Sequence, residues 1–293
     1  MVTDLAGRIY SALVTPMNED GVLKRSVIPR LIDWELASGV EGFYVGGTTG
    51  EGLLLNERDR TEFTRSVVDC VRGRVPVIAH IGAIGTAQTQ ELARGAADAG
   101  AQAISLIPPI YYTLSEKGIV EHYHAVASAT DLPVLIYNIP HAVGFELSSS
   151  AVDALFENPK IIGIKHTSMN MYRLERMTAY HPEKLIFGGL DECAMAGFSL
   201  GTSGIVSTSA NFQAKLFRGM WDAVQAGDIN AAREYQRRVN NNIDALLRDD
   251  IVASTKMVLK SQGIDCGGVR GPLPNIPNDA SVRLLSEVDV SFL

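Results

Sequence analysis

Lys165 follows Ile161-Ile162-Gly163-Ile164 and precedes His166-Thr167-Ser168, so an apolar strand-like run delivers an ammonium to its C-terminal end. Withdrawing an ammonium from water is costly, and a shielded lysine offers more free amine to attack a carbonyl, which is Schiff-base chemistry. The plainer reading is a lysine that snorkels outward to pair with a carboxylate. A second element is GGTTGEG, residues 46–52. Its glycines let backbone N–H groups approach a ligand beside two adjacent hydroxyls, Thr48 and Thr49, which suits a small anion such as a carboxylate. It lacks the Gly-Lys-Ser/Thr of a phosphate loop, and its glycine order reverses the dinucleotide fingerprint. Without a ligand it is a tight strand-to-helix turn. Tyr137 ends the apolar run before that of Lys165, where its phenol is either a proton-transfer group beside the amine or a buried tyrosine with a satisfied hydroxyl. Asp191 and Glu192 are adjacent carboxylates after another short run; facing a cavity they would bind several hydroxyl groups, and otherwise they complement the dipole of a following helix.

Such residues need a scaffold that gathers strand ends. Eight short apolar or β-branched runs recur, at Arg8–Val14, Gly42–Gly46, Val75–Ile81, Ala103–Ile107, Pro133–Tyr137, Ile161–Lys165, Leu185–Phe187 and Gly204–Val206. Between them lie segments of helical spacing, including Val27–Ala37, Asp59–Val71, Ala87–Ala99, Glu116–Ala129, Ser149–Phe156, Tyr172–Ala179 and Glu192–Leu200. The runs are continuous rather than alternating, as in parallel sheets covered on both faces. Eight β/α units predict a (β/α)8 TIM barrel in preference to a doubly wound open sheet, because eight units are what closure requires. In such a barrel the active site lies at the C-terminal strand ends, where the residues above fall. From Ala214 the pattern is purely helical, over Ala214–Gln225, Ile229–Leu247 and Ile251–Gln262, then a Gly/Pro-rich stretch Gly267–Pro277 and a helix over Ala280–Val288. The expected organisation is a barrel over residues 1–212 with a C-terminal helical appendage over 213–293.

Composition narrows the function classes. The 293 residues carry 26 Lys+Arg against 33 Asp+Glu, a net charge of −7, without the basic surplus that nucleic acid or an anionic membrane demands. With 46% hydrophobic and 20% charged residues the chain is far from the disordered class. No apolar run reaches about 18 residues, and MVTDLAGRIY lacks the layout of a secretory signal, so a cytoplasmic location is expected. Cys70, Cys193 and Cys266 form no CxxC pair and fit reduced packing thiols. His122 and His124 are two apart on a helix and face different ways, and neither HExxH nor GxSxG occurs, so neither a metal site nor a hydrolase triad is expected.

Taken in order, GGTTGEG, Pro108-Pro109-Ile110-Tyr111-Tyr112, Tyr137-Asn138-Ile139-Pro140, Gly163-Ile164-Lys165-His166-Thr167-Ser168 and the segment from Gly189 to Glu192 resemble the dihydrodipicolinate synthase/N-acetylneuraminate lyase family of class I aldolases. The resemblance covers essentially the whole chain. It implies a homotetrameric enzyme that binds pyruvate as a Schiff base, with no metal or organic cofactor. It further implies that Lys165 is the nucleophile, Tyr137 the proton-transfer phenol, and Thr48 and Thr49 the holders of the pyruvate carboxylate. Tyr111 or Tyr112 would be the tyrosine that reaches into a neighbouring subunit's site. Dihydrodipicolinate synthases place an arginine just after this YNxP motif, whereas Pro140-His141-Ala142-Val143-Gly144 offers none. Thr167, Gly189, Asp191, Glu192 and Thr208 instead resemble the lyase pattern for binding sugar hydroxyls. The implied reaction is reversible cleavage of N-acetylneuraminate to N-acetylmannosamine and pyruvate. A 2-keto-3-deoxy sugar-acid aldolase or dehydratase and a 4-hydroxy-tetrahydrodipicolinate synthase are the alternatives within the family; a sugar-acid binding protein without catalysis is the one outside it. Thr48 stands where the lyases usually have serine and Ala210 where they have an aromatic residue, which leaves the sugar acid open.

Overall fold

Strands that are apolar on both faces must be covered on both, and a sheet closed on itself with helices outside achieves this. The computed structural model, which describes residues 3–292, shows that arrangement. The parallel strands β1 (Arg8–Ala12), β2 (Gly42–Val45), β3 (Val77–His80), β4 (Ala103–Leu106), β5 (Val134–Asn138), β6 (Ile161–His166), β7 (Leu185–Gly188) and β8 (Gly204–Ser207) pair in chain order, and β8 returns to β1 to close the barrel. Each lies on the run expected for it. Met1, Val2 and Leu293, at the outer ends of the two expected segments, lie outside the described residues.

The helices are α1 (Ile28–Ala37), α2 (Glu57–Val71), α3 (Thr86–Asp98), α4 (Glu116–Ser128), the short α5 (Pro140–Val143), α6 (Ser149–Phe156), α7 (Met171–Tyr180), α8 (Ala194–Ser199), α9 (Ala210–Gln225), α10 (Ile229–Leu246), α11 (Ile251–Ser261) and α12 (Asn278–Glu287). Asn56, Ser115, Ser148 and Asn170 each accept a backbone N–H at the start of α2, α4, α6 and α7, a cap worth about 1 kcal/mol. α9 begins at Ala210, earlier than its apolar spacing predicts, and bends at Gln213 (φ −126°, ψ 30°). Its first turn is buried, but Asn211 and Gln213 alternate with Ala210 and Phe212, which breaks the apolar spacing there. Asn211 Oδ1 accepts from Val14 N at 3.1 Å, while Gln213 donates to Ser209 Oγ at 2.6 Å and accepts from Asn242 Nδ2 at 2.9 Å.

Inside the barrel Tyr10, Tyr44, Ile78, Leu135, Tyr137, Phe187 and Val206 form one apolar cluster. Outside it, Ile32, Phe63 and Phe217 of α1, α2 and α9 share a second cluster with Val239, Ile243, Leu259 and Leu284 of the C-terminal helices, so the appendage packs on the first and last barrel units. No described helix is long and apolar enough to cross a membrane.

Glu35 of α1 is fully buried against Ser11, and neither of its carboxylate oxygens makes a well-formed hydrogen bond. Burial pushes its carboxyl well above the ordinary 4.5. A carboxyl raised in the folded state favours folding below its unfolded pKa and loses that contribution as pH rises through the folded value. Glu35→Gln should therefore melt near the parent in mild acid and gain on it steadily as the buffer becomes alkaline. Thermal melts across that range check this, and a melting difference that does not change with pH would contradict it.

Candidate active site

Register decides which side chains meet. β5 and β6 align Tyr137 with Lys165 and Asn138 with His166, and alternation along a strand sends the first pair into the barrel and the second outward. The outward pair is packing: Asn138 Nδ2 and His166 Nδ1 are 3.0 Å apart, and burial pushes the imidazole down to about 4.

Lys165 is 5% exposed, with Nζ 4.1 Å from the centroid of the Tyr137 ring and 4.9 Å from that of Tyr44. Among the described residues no carboxylate pairs with it, so the snorkelling ion pair is not what the fold builds. The amine rests on two aromatic faces at the barrel mouth. Tyr44 is a site residue that motif reading misses; it donates to Ser105 Oγ at 2.9 Å and meets Tyr137 edge-on, with centroids 6.0 Å apart. Its signal was parity, since a tyrosine two positions before Gly46 shares the interior face of β2.

The glycine loop closes tightly after β2. A Cβ at Gly52 would stand 1.7 Å from the Gly46 carbonyl oxygen, so no other residue fits there. Behind the loop, His80 Nδ1 lies 3.1 Å from Gly46 O, and Arg60 donates to the carbonyls of His80 and Gly82 at 2.8 Å each. Burial, helped by the charges of Arg60 and Lys165, pushes His80 well below its usual 6.5, which favours the neutral ring. In front, Thr48 Oγ1 lies 3.4 Å from the Tyr137 hydroxyl and Thr49 Oγ1 2.7 Å from Thr208 Oγ1. These two contacts join the ends of the second, fifth and eighth strands.

On the other side, Gly189 packs so close that a Cβ would stand 2.0 Å from Thr167 Oγ1 and 3.0 Å from Lys165 Cε. The Thr167 hydroxyl is buried and has no partner. Asp191 is buried too, and its Oδ2 accepts from Ser209 N at 2.9 Å and Ser209 Oγ at 2.6 Å. Burial nevertheless raises its carboxyl above the usual 3.8. One oxygen of this acid is thus committed to the turn before α9. The Glu192 side chain is exposed, and its carbonyl accepts from Asn240 of α10 at 3.4 Å. α10 also grips this turn through Gln236, which donates to Asp191 O at 3.0 Å and accepts from Met195 N at 2.7 Å. Tyr111 and Tyr112 stand apart from the cluster, 87% and 67% exposed and packed edge-to-face on each other.

Residues 5–289 match the dihydrodipicolinate synthetase family. The chain belongs to that family. It is 37% identical over 280 residues to the N-acetylneuraminate lyase of Rhizobium meliloti (strain 1021), covering 95% of this chain and 93% of the relative. Two solved structures of the dihydrodipicolinate synthetase fold are close to it: CdNal from Clostridium difficile in complex with mannosamine, at a TM-score of 0.94, 30% identity and coverage of 96% and 97% of the two chains, and dihydrodipicolinate synthase from Bacillus anthracis, at 0.92 and 29% with coverage of 96% and 97%. As a family member with such relatives the protein is a pyruvate-dependent lyase, a class I aldolase on a TIM barrel.

Proposed function

We propose that this aldolase reversibly cleaves N-acetylneuraminate to N-acetylmannosamine and pyruvate through an imine on Lys165. The observation that carries the reading is the Lys165 amine lying over Tyr137, whose hydroxyl reaches Thr48 of the glycine loop. Lys165 Nζ adds to the C2 carbonyl of the keto acid, and the Tyr137 phenol gives its proton to the departing hydroxyl, which leaves as water; an iminium and a phenolate remain. The C3–C4 bond then breaks with its electron pair entering the iminium, while the C4 hydroxyl proton passes to Tyr137 Oη. The aldehyde leaves, the resulting enamine takes a proton at C3, and water releases pyruvate and the amine. Thr48 and Thr49 hold the carboxylate. Thr167, with its free buried hydroxyl, and Gly189, Asp191, Glu192 and Thr208 form the sugar side. The absence of an arginine in Pro140–Val143 disfavours a second carboxylate there.

The same reading includes assembly as a homotetramer. Tyr111 holds a positive φ of 80°, strain of roughly 1–3 kcal/mol for a non-glycine residue, and Ile110 before it joins Leu53 and Ile84 in lining a groove edged by Glu57, Arg58 and Gln88. A second copy seated there would cover the exposed Leu53, Ile84 and paired tyrosines and insert a tyrosine into the neighbouring mouth.

The experiment is borohydride reduction with pyruvate, and separately with N-acetylneuraminate, followed by peptide mass mapping. A pyruvyl adduct on Lys165 from both is expected. An adduct from pyruvate alone would overturn the sugar assignment and point to another 2-keto-3-deoxy sugar acid; no adduct from either would overturn the mechanism.

A further inference from the structure

Glu51 and Lys256 are charged side chains left 0% and 1% exposed, with Lys256 Nζ 2.6 Å from Glu51 Oε1. The pair ties the glycine loop after β2 to α11. Burying two charges costs several kcal/mol per ion in rough terms, and attraction repays it only when the remaining hydrogen-bonding groups are satisfied. Here they are. Lys256 also donates to Gly268 O at 2.7 Å, and Glu51 Oε2 accepts from the Arg270 backbone N–H at 2.6 Å. Arg270 turns its guanidinium back on the same loop, donating to Leu54 O at 2.8 Å and to the Gly21 carbonyl, with Asp59 3.8 Å away.

The Glu51 backbone is left-handed, at φ 55° and ψ 27°, a conformation that costs a residue with a Cβ about 1–2 kcal/mol. In that conformation its N–H donates to Thr48 O at 3.0 Å and closes the turn that presents Thr48 and Thr49. The buried carboxylate is therefore an anchor that keeps a strained turn in place from behind.

We propose that Glu51, Lys256 and Arg270 form a positioning clamp through which the C-terminal helical region holds the Thr48-Thr49 turn in shape for the keto-acid carboxylate. This rests on the reading of Thr48 and Thr49 given above. The three residues act through the turn, so the clamp governs how tightly pyruvate is held. Imine formation on Lys165, at a different strand end, keeps its limiting rate.

Lys256→Met, Lys256→Arg and Arg270→Met in the full chain test the clamp. Arg270→Met leaves Glu51 its ammonium partner and is the variant to use if Lys256→Met fails to fold. Borohydride trapping at graded pyruvate reads the half-saturating concentration and the limiting rate, and hydrogen–deuterium exchange follows residues 46–56. In Lys256→Met the half-saturating concentration should rise about tenfold, the effect of losing a hydrogen bond to a charged group, with the limiting rate little changed. Lys256→Arg should recover part of the loss, Arg270→Met should shift in the same direction by less, and residues 46–56 should exchange faster while β5 and β6 do not. A lowered melting temperature with unchanged half-saturation would make the pair merely structural and overturn the proposal. If the parent protein takes no pyruvate adduct, the proposed function fails instead, and exchange alone decides the clamp: unchanged protection of residues 46–56 would overturn it.

Discussion

Lys165→Ala should abolish turnover while leaving the fold intact, a loss on the order of 10⁶-fold in kcat, the scale seen when a covalent nucleophile is removed from an enzyme. Among the described residues, no other lysine or arginine lies over the Tyr44 or Tyr137 ring. Lys165→Met, which fills nearly the same volume over Tyr44 and Tyr137, separates lost chemistry from a lost core contact and should be equally inactive. Steady-state assays on the keto acid identified by trapping, together with melting curves, give the comparison. Retention of a tenth of the parent activity by either variant, or an adduct that persists on another lysine, would remove Lys165 from the mechanism.

Gly189→Ala is the second change with a large expected effect, although it adds only a methyl group. That carbon would arrive 2.0 Å from Thr167 Oγ1 and 3.0 Å from Lys165 Cε, so the threonine, the lysine or the β7 turn must move. Overpacking of this kind costs roughly 1–3 kcal/mol of stability. The catalytic penalty is larger in proportion, because a displacement of about 1 Å in a reacting group can cost on the order of 100-fold in rate. Removing the hydroxyl should relieve the contact, so Gly189→Ala/Thr167→Ala should turn over pyruvate imine faster than Gly189→Ala alone. The kinetics of borohydride trapping in the two single variants and the double variant measure that coupling. Additive effects would mean that the added methyl group does not act through the Thr167 hydroxyl.

The barrel was legible because its strands, covered on both sides, are unbroken apolar runs, and because a closed sheet of eight leaves few arrangements of them. Lys165 was legible for the same reason: a charge at the end of such a run has only the mouth to occupy. Other features were silent for physical reasons. The first turn of α9 buries Asn211 and Gln213, polar residues satisfied by Ala12 O, Ser209 and Asn242 instead of following an apolar period. Glu51 and Lys256 are far apart in the chain, and a local pattern assigns each charge to solvent; only their contact reveals that both are buried. For Asp191 and Glu192 the sequence offered two roles to one pair, and the fold separates them, one acid buried and tied to Ser209 and its neighbour exposed to solvent.

The grip of α10 on the turn after β7 bears on how this enzyme type diversifies. Gln236 and Asn240 hold the backbone of Asp191 and Glu192 from outside the barrel, on a helix of the C-terminal region. On the function proposed above, the aldehyde side of the site is therefore braced in part by a peripheral helix. A chimera that exchanged α10 between relatives would carry selectivity with it as a cassette, and the keto-acid half of the reaction would be inherited unchanged.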